Sequence, residues 1–457
     1  MGVSNLELTS IMYKSTNLSS KPVTFREALI KGQAPDKGLY MPDSIPKINR
    51  GHLAFMKALP YHEVAFEVTK KFLQGEIPEK NLRAIVKDAY DYEVPLENVD
   101  EKRYIMRLDR GPTASFKDFA ARMMARLMQY YLKQENKKLV ILVATSGDTG
   151  SAVANAFYGL ENIEVVVLFP GSEVSERQRK QMTTLGRNIF AFAVYGKFDD
   201  CQALVKQAFA DPDLQNINLS SANSINFGRL LPQAVYYFYA YSRLFRDLGE
   251  PIIFSVPSGN FGDLMGGVLA REMGLPISKF IVATNENDEF PMFMRTKSYA
   301  PICPSKECLS NAMNVGHPSN LARLFYLYNG NMDEKGAIVR LPNIRKMRQD
   351  FDSISISDAE TKETIKQAYQ KYKVILEPHG AVAWAALDHF DPDGLCVSLE
   401  TAHPAKFPSV IKETIGIDPK LPESMKGIEN KKEEFQNLKN DYPAFKEFLK
   451  QRFGPKS

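Results

Sequence analysis

Short, uninterrupted apolar runs recur in the middle of the chain. Leu139 to Ala144 and Val165 to Phe169 are two of them, and polar or turn-forming residues flank each run. A run of roughly four to eight apolar residues between turn signals is typical of a strand that is buried on both faces. Such runs are also far shorter than the roughly 20 residues that a membrane-spanning helix needs. We therefore predict buried strands at both places.

Amphipathic stretches lie between these runs. Met123, Leu127 and Tyr131 follow one another at intervals of four residues, which places them on one face of a helix. The same alternation of an apolar strand with a helix recurs over 187–211 and over 251–274. Strands and helices that alternate in this way predict an α/β fold, in which helices cover both faces of parallel sheets.

The two ends of the chain have different patterns. Residues 1–95 contain helical spacing at Val23 to Lys31 and at 61–75, joined by turn-rich stretches. We predict a mainly helical N-terminal domain over 1–95 and a larger region over 96–457. Near the C-terminus, residues 430–453 alternate charged and apolar positions, which predicts a solvated helix packed by one face.

Composition narrows the class of protein. Lys and Arg total 58 and Asp and Glu total 54, and a net charge of +4 does not indicate a nucleic-acid or membrane-surface protein. Four cysteines are too few for a disulfide framework, and no second pair accompanies Cys303 and Cys308 to complete a metal site. The N-terminus lacks the pattern of a signal peptide. We expect a cytoplasmic protein without metal, nucleic-acid or membrane partners.

The segment from Ser258 to Asp263 follows an apolar strand and opens a helix. Its glycines let a ligand approach the backbone, and the free N–H groups at a helix start favour an anion. It is neither a Walker loop nor a dinucleotide fingerprint, because no Gly-Lys-Ser/Thr follows and the spacing is not Gly-x-Gly-x-x-Gly. The pattern predicts a phosphate-binding loop, with a plain strand-to-helix turn as the alternative.

Two further segments have residues suited to chemistry. Thr145 to Ser151 has the same design and either holds a carboxylate or phosphate or only caps its helix. Lys117 follows a Gly-Pro turn and stands beside Phe116 at the start of an amphipathic helix. Desolvation would lower its pKa and free the amine for attack on a carbonyl, whereas a surface lysine is the plain alternative. The six histidines form no metal-binding or hydrolase pattern.

Six motifs in a fixed order carry a resemblance to a known family. They are GPTASFKDFAARMM, VATSGDTGSA, NSINFGR, VPSGNFGD, NVGHPSN and ETAHPAKF. With the N-terminal segment KSTNLSSKPVTFREALIKGQAPDKGLYMP, they make nearly the whole chain resemble the threonine synthase family of pyridoxal-phosphate enzymes. The resemblance implies the tryptophan synthase β-like fold, which has three-layer αβα parallel sheets. It further implies an N-terminal domain typical of the family and a smaller α/β subdomain, roughly 130–230, inserted in the larger one.

The same resemblance implies pyridoxal 5'-phosphate as cofactor and gives roles to single residues. Lys117 matches the lysine that is attached covalently to the cofactor, with Phe116 beside it, and Thr401 matches the residue whose hydroxyl faces the pyridine nitrogen. The cofactor phosphate is expected on Gly259, Asn260, Phe261, Gly262 and Asp263. The substrate carboxylate is expected on Ser146, Gly147, Asp148 and Thr149. The candidates for the substrate phosphate are Asn226 and Arg229, with Lys14, Ser15 and Thr16 as helpers.

Two positions depart from the family pattern. Asn17 stands where some relatives have arginine after Ser-Thr, so another residue would have to supply that charge. Asp148 stands where many members of the superfold have asparagine beside the ring oxygen of the cofactor. A carboxylate there would repel the phenolate. We therefore expect Asp148 to be turned away, protonated or bonded to N–H groups, with Asn260 as an alternative partner for the ring oxygen.

The activity that the resemblance implies is the last step of threonine biosynthesis. O-phospho-L-homoserine and water become L-threonine and phosphate by elimination at Cγ and hydration at Cβ. The alternatives are another lyase of the superfold, such as a serine or threonine dehydratase or a phospho-lyase, a silent binding protein, and a nucleotide-binding oxidoreductase. Lys117 and the glycine loop argue against a silent protein, and the missing fingerprint argues against an oxidoreductase. We expect a monomer or a homodimer that acts on a small molecule.

Overall fold

Two β-sheets with helices on their faces form the centre of the molecule. The computed structural model describes residues 10–455; residues 456–457 and residues 1–9, to which the expectation about a signal peptide refers, lie outside the described part. The strands are β1 (Tyr13–Ser15), β2 (Tyr40–Pro42), β3 (Leu96–Asp100), β4 (Arg103–Arg107), β5 (Leu139–Ala144), β6 (Ile163–Pro170), β7 (Ile189–Tyr195), β8 (Leu219–Ser221), β9 (Ile252–Pro257), β10 (Ile277–Thr284), β11 (Asn331–Met332), β12 (Ile338–Arg340), β13 (Phe351–Ser355), β14 (Leu395–Glu400) and β15 (Gln436–Lys439). The helices are α1 (Phe25–Lys31), α2 (Arg50–Met56), α3 (Tyr61–Leu73), α4 (Glu79–Ala89), α5 (Lys117–Glu135), α6 (Asp148–Phe157), α7 (Glu176–Thr183), α8 (Phe198–Ala210), α9 (Phe227–Leu244), α10 (Gly262–Glu272), α11 (Glu289–Thr296), α12 (Leu321–Leu327), α13 (Ile344–Asp350), α14 (Asp358–Tyr372), α15 (Pro378–Phe390), α16 (Pro408–Ile415) and α17 (Tyr442–Phe453).

The larger sheet has six strands in the order β13, β10, β9, β14, β4 and β3. Every neighbouring pair is parallel except β3 with β4. The carboxyl ends of the parallel strands therefore meet at one edge, where β4 leads toward Lys117, β9 toward Ser258 and β14 toward Thr401. Ligands of open α/β sheets bind at this edge. Neither β3 nor β4 was predicted, because β3 has no buried residue and β4 is only partly buried, so neither shows an uninterrupted apolar run.

The smaller sheet has five parallel strands in the order β15, β7, β6, β5 and β8. The two apolar runs predicted as buried strands are β5 and β6, and both are buried. The prediction of one helix over 430–453 was wrong, because strand β15 precedes α17 there. An edge strand needs few apolar side chains, and Leu438 is the one buried residue of β15.

The N-terminal segment contains four helices, of which α1 and α3 lie in the two stretches with helical spacing, and also the antiparallel pair β1 and β2. Helix α1 begins at Phe25, because the Thr24 hydroxyl accepts from the N–H of Glu27 (3.2 Å) and the Glu27 carboxylate accepts from the N–H of Thr24 (3.1 Å). The ring of Tyr13 packs edge-on against those of Phe25 and Phe227, at 5.7 and 4.9 Å between ring centres. The segment thus shares its core with α9.

The predicted α/β fold class is confirmed by these parallel sheets and the helices that cover them. Met123, Leu127 and Tyr131 on α5 are buried, as their spacing predicts. Within residues 10–455, no helix is long and apolar enough to cross a membrane. The same part of the chain has no group of three or more His, Cys, Asp or Glu side chains placed to hold a metal ion.

Candidate active site

Lys117 is the first residue of α5, and the loop before it is tied to the end of β14. The N–H of Phe116 donates to the carbonyl of Thr401 (2.8 Å). Asp118 closes the turn, since its carboxylate accepts from the N–H (2.9 Å) and the hydroxyl (2.6 Å) of Thr113. These bonds fix the direction in which the Lys117 side chain leaves the backbone.

The Lys117 amine is partly desolvated. Burial lowers its pKa to about 8; Asp148 opposes this effect, whereas Arg229 and Lys406 add to it. Its Nζ lies 5.7 Å from the ring centre of Phe116, and no carboxylate in the described part of the chain forms an ion pair with it. A lysine with such a pKa carries a sizeable fraction of free amine near neutral pH, which suits a nucleophile or a base.

The glycine loop after β9 presents free N–H groups. No acceptor among residues 10–455 bonds the N–H groups of residues 259–263. Phe261 adopts a left-handed backbone (φ 60°) and packs its ring against Phe290, 5.0 Å between ring centres, so the hydrophobic core holds the turn into α10. An anion bound here would satisfy these donors and benefit from the positive end of α10.

The side chains of this loop are engaged by neighbouring elements. Asn260 Oδ1 accepts from the N–H of Ser319 (3.4 Å). The Asp263 carboxylate accepts from the hydroxyl groups of Tyr236 and Tyr237 on α9 (2.5 and 3.0 Å), and burial raises the pKa of Asp263 to about 7. The sequence places Asp263 in the cofactor site, but α9 holds its carboxyl group. Its backbone N–H is the group that remains for an anion.

The loop between β5 and α6 has a similar form. Thr145 Oγ1 accepts from the N–H groups of Gly147 (2.9 Å) and Gly150 (2.8 Å), which curls the chain. Gly147 has φ 129°, and a Cβ there would lie 2.7 Å from the Gln178 side chain, so the position requires glycine. The N–H groups without an acceptor in the described residues are those of Ser146, Asp148 and Thr149. This arrangement suits a carboxylate.

Asp148 is bonded to donors, the last of the three states that the sequence leaves open. Its Oδ1 accepts from Lys406 Nζ (2.7 Å) and from Gln178 Nε2 (2.9 Å). Lys406, Lys117 and these bonds outweigh burial and hold the pKa of Asp148 well below its ordinary value. Sequence reasoning missed Lys406, although it lies in the ETAHPAKF motif. Its Nζ also donates to the carbonyl of Thr113 (2.9 Å).

Thr401 lies at the head of a buried polar chain. Its hydroxyl donates to Glu377 Oε1 (3.2 Å), and Glu377 Oε2 contacts Nδ1 of His379. Nε2 of His379 accepts from the N–H of Ala312 (3.1 Å), which assigns the ring proton to Nδ1. Ala312 in turn packs against the glycine loop, since a Cβ at Gly259 would lie 3.0 Å from the Ala312 carbonyl oxygen. The series of polar contacts therefore extends from Thr401 to the glycine loop. No functional role was predicted for Glu377 or His379.

The candidates for the substrate phosphate differ in what they can offer. Asn226 caps α9, and its amide donates to the carbonyls of Leu29 (2.8 Å) and Ser221 (3.2 Å), so both amide protons are used inside the fold. Buried Arg229 donates from Nη1 to the carbonyl of Ala222 (2.6 Å), while its Nε has no partner among the described residues. Burial lowers the pKa of Arg229 to about 10, so the side chain remains a cation at neutral pH.

The N-terminal candidates are spread over strand β1 and the turn after it. The Ser15 hydroxyl donates to Asp36 (2.6 Å), and the Thr16 hydroxyl accepts from the N–H of Leu39 (3.0 Å), so both stabilise the N-terminal segment. Lys14 is exposed. Asn17, the departure from the family pattern, donates to the carbonyl of Asp36 (2.9 Å). The structure brings Lys117, Asp148 and Arg229 together and leaves Ser15 and Thr16 committed elsewhere.

Family models match almost the whole chain. They are described as threonine synthase N terminus (residues 12–90), pyridoxal-phosphate dependent enzyme (93–401) and threonine synthase, C-terminal (380–449). The threonine synthase of Haemophilus influenzae is 42% identical over 405 residues, which cover 88% of this chain and 91% of the relative. That of Escherichia coli is 37% identical, over 94% of this chain and 97% of the relative. The chain belongs to the threonine synthase family.

Solved structures of the threonine synthase family have the same fold. The pyridoxal-phosphate-bound threonine synthase from Brucella melitensis is 34% identical, covers 98% of this chain and 100% of its own, and superposes with a TM-score of 0.92. The Escherichia coli enzyme gives a TM-score of 0.87 at 36% identity, over 96% of this chain and 99% of its own. Threonine deaminase isoform 2 from Solanum lycopersicum, at 18% identity and a TM-score of 0.52 over 75% of this chain and 90% of its own, shares the fold alone.

Proposed function

We propose that the protein uses pyridoxal 5'-phosphate to convert O-phospho-L-homoserine and water to L-threonine and phosphate. The relatives that bear the name threonine synthase over most of the chain support this activity. The observation that carries it is the buried Lys117 amine, whose pKa is lowered to about 8, together with two loops whose N–H groups have no acceptor among the described residues. One loop suits the phosphate of the cofactor and the other the carboxylate of an amino acid.

The residues present fit this cofactor. Lys117 would hold it covalently, the N–H groups of residues 259–263 would bind its phosphate, and Thr401 would face its ring. Five adjacent donors without acceptors in the described residues match the oxygens of a phosphate. When bound, pyridoxal phosphate withdraws electrons from the carbon atoms next to the substrate amine.

The reaction needs a base, a carboxylate anchor and a cation. The Lys117 amine is the base that we assign to the protons at Cα, Cβ and Cγ, since its lowered pKa lets it accept and return them. Ser146 and Thr149 would hold the substrate carboxylate through their N–H groups and hydroxyls. Arg229 would bind the substrate phosphate through its Nε, which has no partner in the described part of the chain, and a fixed guanidinium there would stabilise the charge of the departing group.

The attachment of the cofactor to Lys117 is tested with the purified protein and sodium borohydride. Borohydride reduction should fix a pyridoxyl group on Lys117, as found by peptide mass spectrometry. Lys117→Ala should fold, lose this label and lose turnover of O-phospho-L-homoserine, because no other amine takes its place. Lys133→Ala, which removes an exposed lysine of the same helix, should keep label and turnover. A pyridoxyl group on another lysine would falsify the assignment.

The role of Arg229 is tested separately. Arg229→Lys keeps the charge and loses the planar fork, so turnover of O-phospho-L-homoserine should fall by about 100-fold or more if one charge-assisted contact to the transition state is lost. Threonine carries no phosphate, and its effect on the cofactor absorbance should persist. Unchanged turnover would move the phosphate site to another cation.

We further propose that this enzyme acts in the cytoplasm, as a monomer or a homodimer, and that its N-terminal domain ends near residue 95. The family models for the N-terminal and catalytic parts end and begin at residues 90 and 93, which supports the division. Sedimentation of the purified protein decides between the two oligomeric states. A larger assembly would contradict both.

A further inference from the structure

Lys406 is a fully buried lysine beside the loop between β5 and α6. It ends the short 3-10 helix Pro404–Lys406, just after β14. Its Nζ lies 2.7 Å from Asp148 Oδ1 and 2.9 Å from the carbonyl oxygen of Thr113. Asp148 is buried as well and takes its second bond from Gln178 Nε2, 2.9 Å away, at the same oxygen. Lys406 and Asp148 therefore form a direct ion pair that is buried from water.

Asp148 has a second possible cationic partner, Lys117. Lys117 and Asp148 attract each other across the site. The negative charge of Asp148 raises the pKa of Lys117, and the positive charge of Lys117 lowers the pKa of Asp148. A carboxylate close to Lys117 would favour the protonated amine, which is neither a nucleophile nor a base. Because Lys406 and Gln178 hold Asp148 Oδ1, the charge of the carboxylate is balanced by a cation next to it.

The other charged groups of the site do not replace this balance. Arg229 on α9 acts on Lys117 as a cation, and Glu377 at the start of α15 acts as an anion. Glu377 is already bonded by His379 and Thr401. With Lys406 removed, Asp148 would keep its negative charge without a direct cationic partner. Lys117 is the other lysine whose charge acts on Asp148.

We propose that Lys406 is a positioning residue, which holds the Asp148 carboxylate so that the Lys117 amine stays free for the cofactor and for proton transfer. The inference rests on the proposed attachment of the cofactor to Lys117. It adds a specific division of labour between two lysines, one that reacts and one that neutralises Asp148. If the ion pair between Lys406 and Asp148 only stabilised the fold, its removal would have no effect on the ionisation of the cofactor linkage.

The holoenzyme tests this directly, since the absorbance of a bound pyridoxal cofactor changes when its linkage to lysine loses a proton. The pH midpoint of that change is measured for the wild type, Lys406→Met, Asp148→Asn and the double variant. Lys406→Met leaves an uncompensated anion and should raise the midpoint by about one to two pH units. Asp148→Asn leaves an uncompensated cation and should lower it. The double variant restores neutrality and should return within about half a unit of the wild type.

Lys279→Met is the matched control. It removes a lysine of β10 from an ion pair with Asp352, 3.1 Å long, outside the site, and should leave the midpoint unchanged. Borohydride labelling of Lys117 in every variant tests the cofactor attachment separately. If labelling persists and the midpoints of Lys406→Met and the wild type coincide, the inference is overturned and the proposed function stands. If Lys406→Met does not fold, Asp148→Asn decides, and an unchanged midpoint there overturns the inference.

Discussion

Four charged side chains of the site fall into two pairs. Lys406 and Asp148 neutralise each other, as removal from water demands. Lys117 and Arg229 have no carboxylate partner among residues 10–455, and burial lowers the pKa of both. Burying these two cations without a permanent anion therefore lowers the stability of the fold. Ligand anions and a carbonyl group are what such positions can bind.

The first prediction concerns the cost of burying Lys117 in the cofactor-free protein. Its folded-state pKa of about 8 lies below the ordinary 10.5, so the unfolded chain binds this proton more tightly. Stability of the wild type should therefore rise with pH between these values. Lys117→Met should be more stable than the wild type below pH 8, by at most about 3 kcal/mol, and the difference should shrink toward pH 10.5.

Urea denaturation of both proteins between pH 7 and pH 10.5 measures this difference. The wild type and the variant share every other titrating group, including Asp263 and Glu289, whose pKa values burial raises to about 7 and about 8. Their contributions cancel in the comparison. A difference in the free energy of unfolding that stays constant over this range would show that Lys117 is not desolvated.

Glycines give helix α10 two separate tasks along one face. A Cβ at Gly266 would lie 2.7–2.9 Å from backbone and Cβ atoms of Gln233, so Gly266 allows α10 and α9 to pack closely. A Cβ at Gly262 would lie 3.3 Å from the flexible end of the same side chain, Gln233 Oε1. Gly262 instead belongs to the run of free N–H groups. Gly266 thus serves packing, and we expect Gly262 to serve a ligand.

The second prediction separates these tasks. Gly266→Ala should destabilise the cofactor-free protein by about 1–3 kcal/mol, because the helices must move apart. Gly262→Ala should change stability by less than about 1 kcal/mol and should weaken pyridoxal phosphate binding, since the methyl group crowds the donors. Urea denaturation and cofactor titration are run on both variants. The interpretation of the loop is wrong if Gly262→Ala binds the cofactor as tightly as the wild type.

Much of the element pattern was predictable, and the failures have physical causes. Strands β5 and β6 are buried on both faces and helix α5 has a long apolar face, so their periodicity is strong. Strand β15 has one buried residue and β8 has three residues, so periodicity is absent. The glycine loops could be located because they follow strands. The cofactor, the activity and the roles of single residues came from the family resemblance.

The polar network of the site was not predictable from local pattern. Lys406 and Asp148 are 258 residues apart in the sequence, and hydrophobic periodicity carries no information about such a distant contact. Glu377 and His379 read as the start of an ordinary helix. Asn226 was expected to bind phosphate, yet its position at a helix start made it a cap. Tertiary proximity decides these roles.

The C-terminal segment connects the two sheets of the molecule. It leaves the larger sheet after β14, and β15 then adds to the edge of the smaller sheet beside β7. Arg179 of α7 bonds Glu433 through two nitrogens (2.9 and 3.0 Å) just before β15. Helix α17 follows and covers the same apolar cluster as Phe192 of β7. Residues remote in sequence thus complete the smaller half of the molecule.

The last prediction concerns this C-terminal cover. Phe445 of α17 is fully buried in the cluster, 6.4 Å between its ring centre and that of Phe192. Phe445→Ala leaves a cavity and should cost about 3–5 kcal/mol of stability. The loss should act first on the smaller sheet, so amide exchange should quicken in β6 and β7 before it does in β9 and β14. Lys450→Ala changes an exposed position of the same helix and should leave both unchanged. Equal acceleration of exchange in the two sheets would show that they unfold as one unit, and that α17 stabilises the whole molecule rather than the smaller sheet.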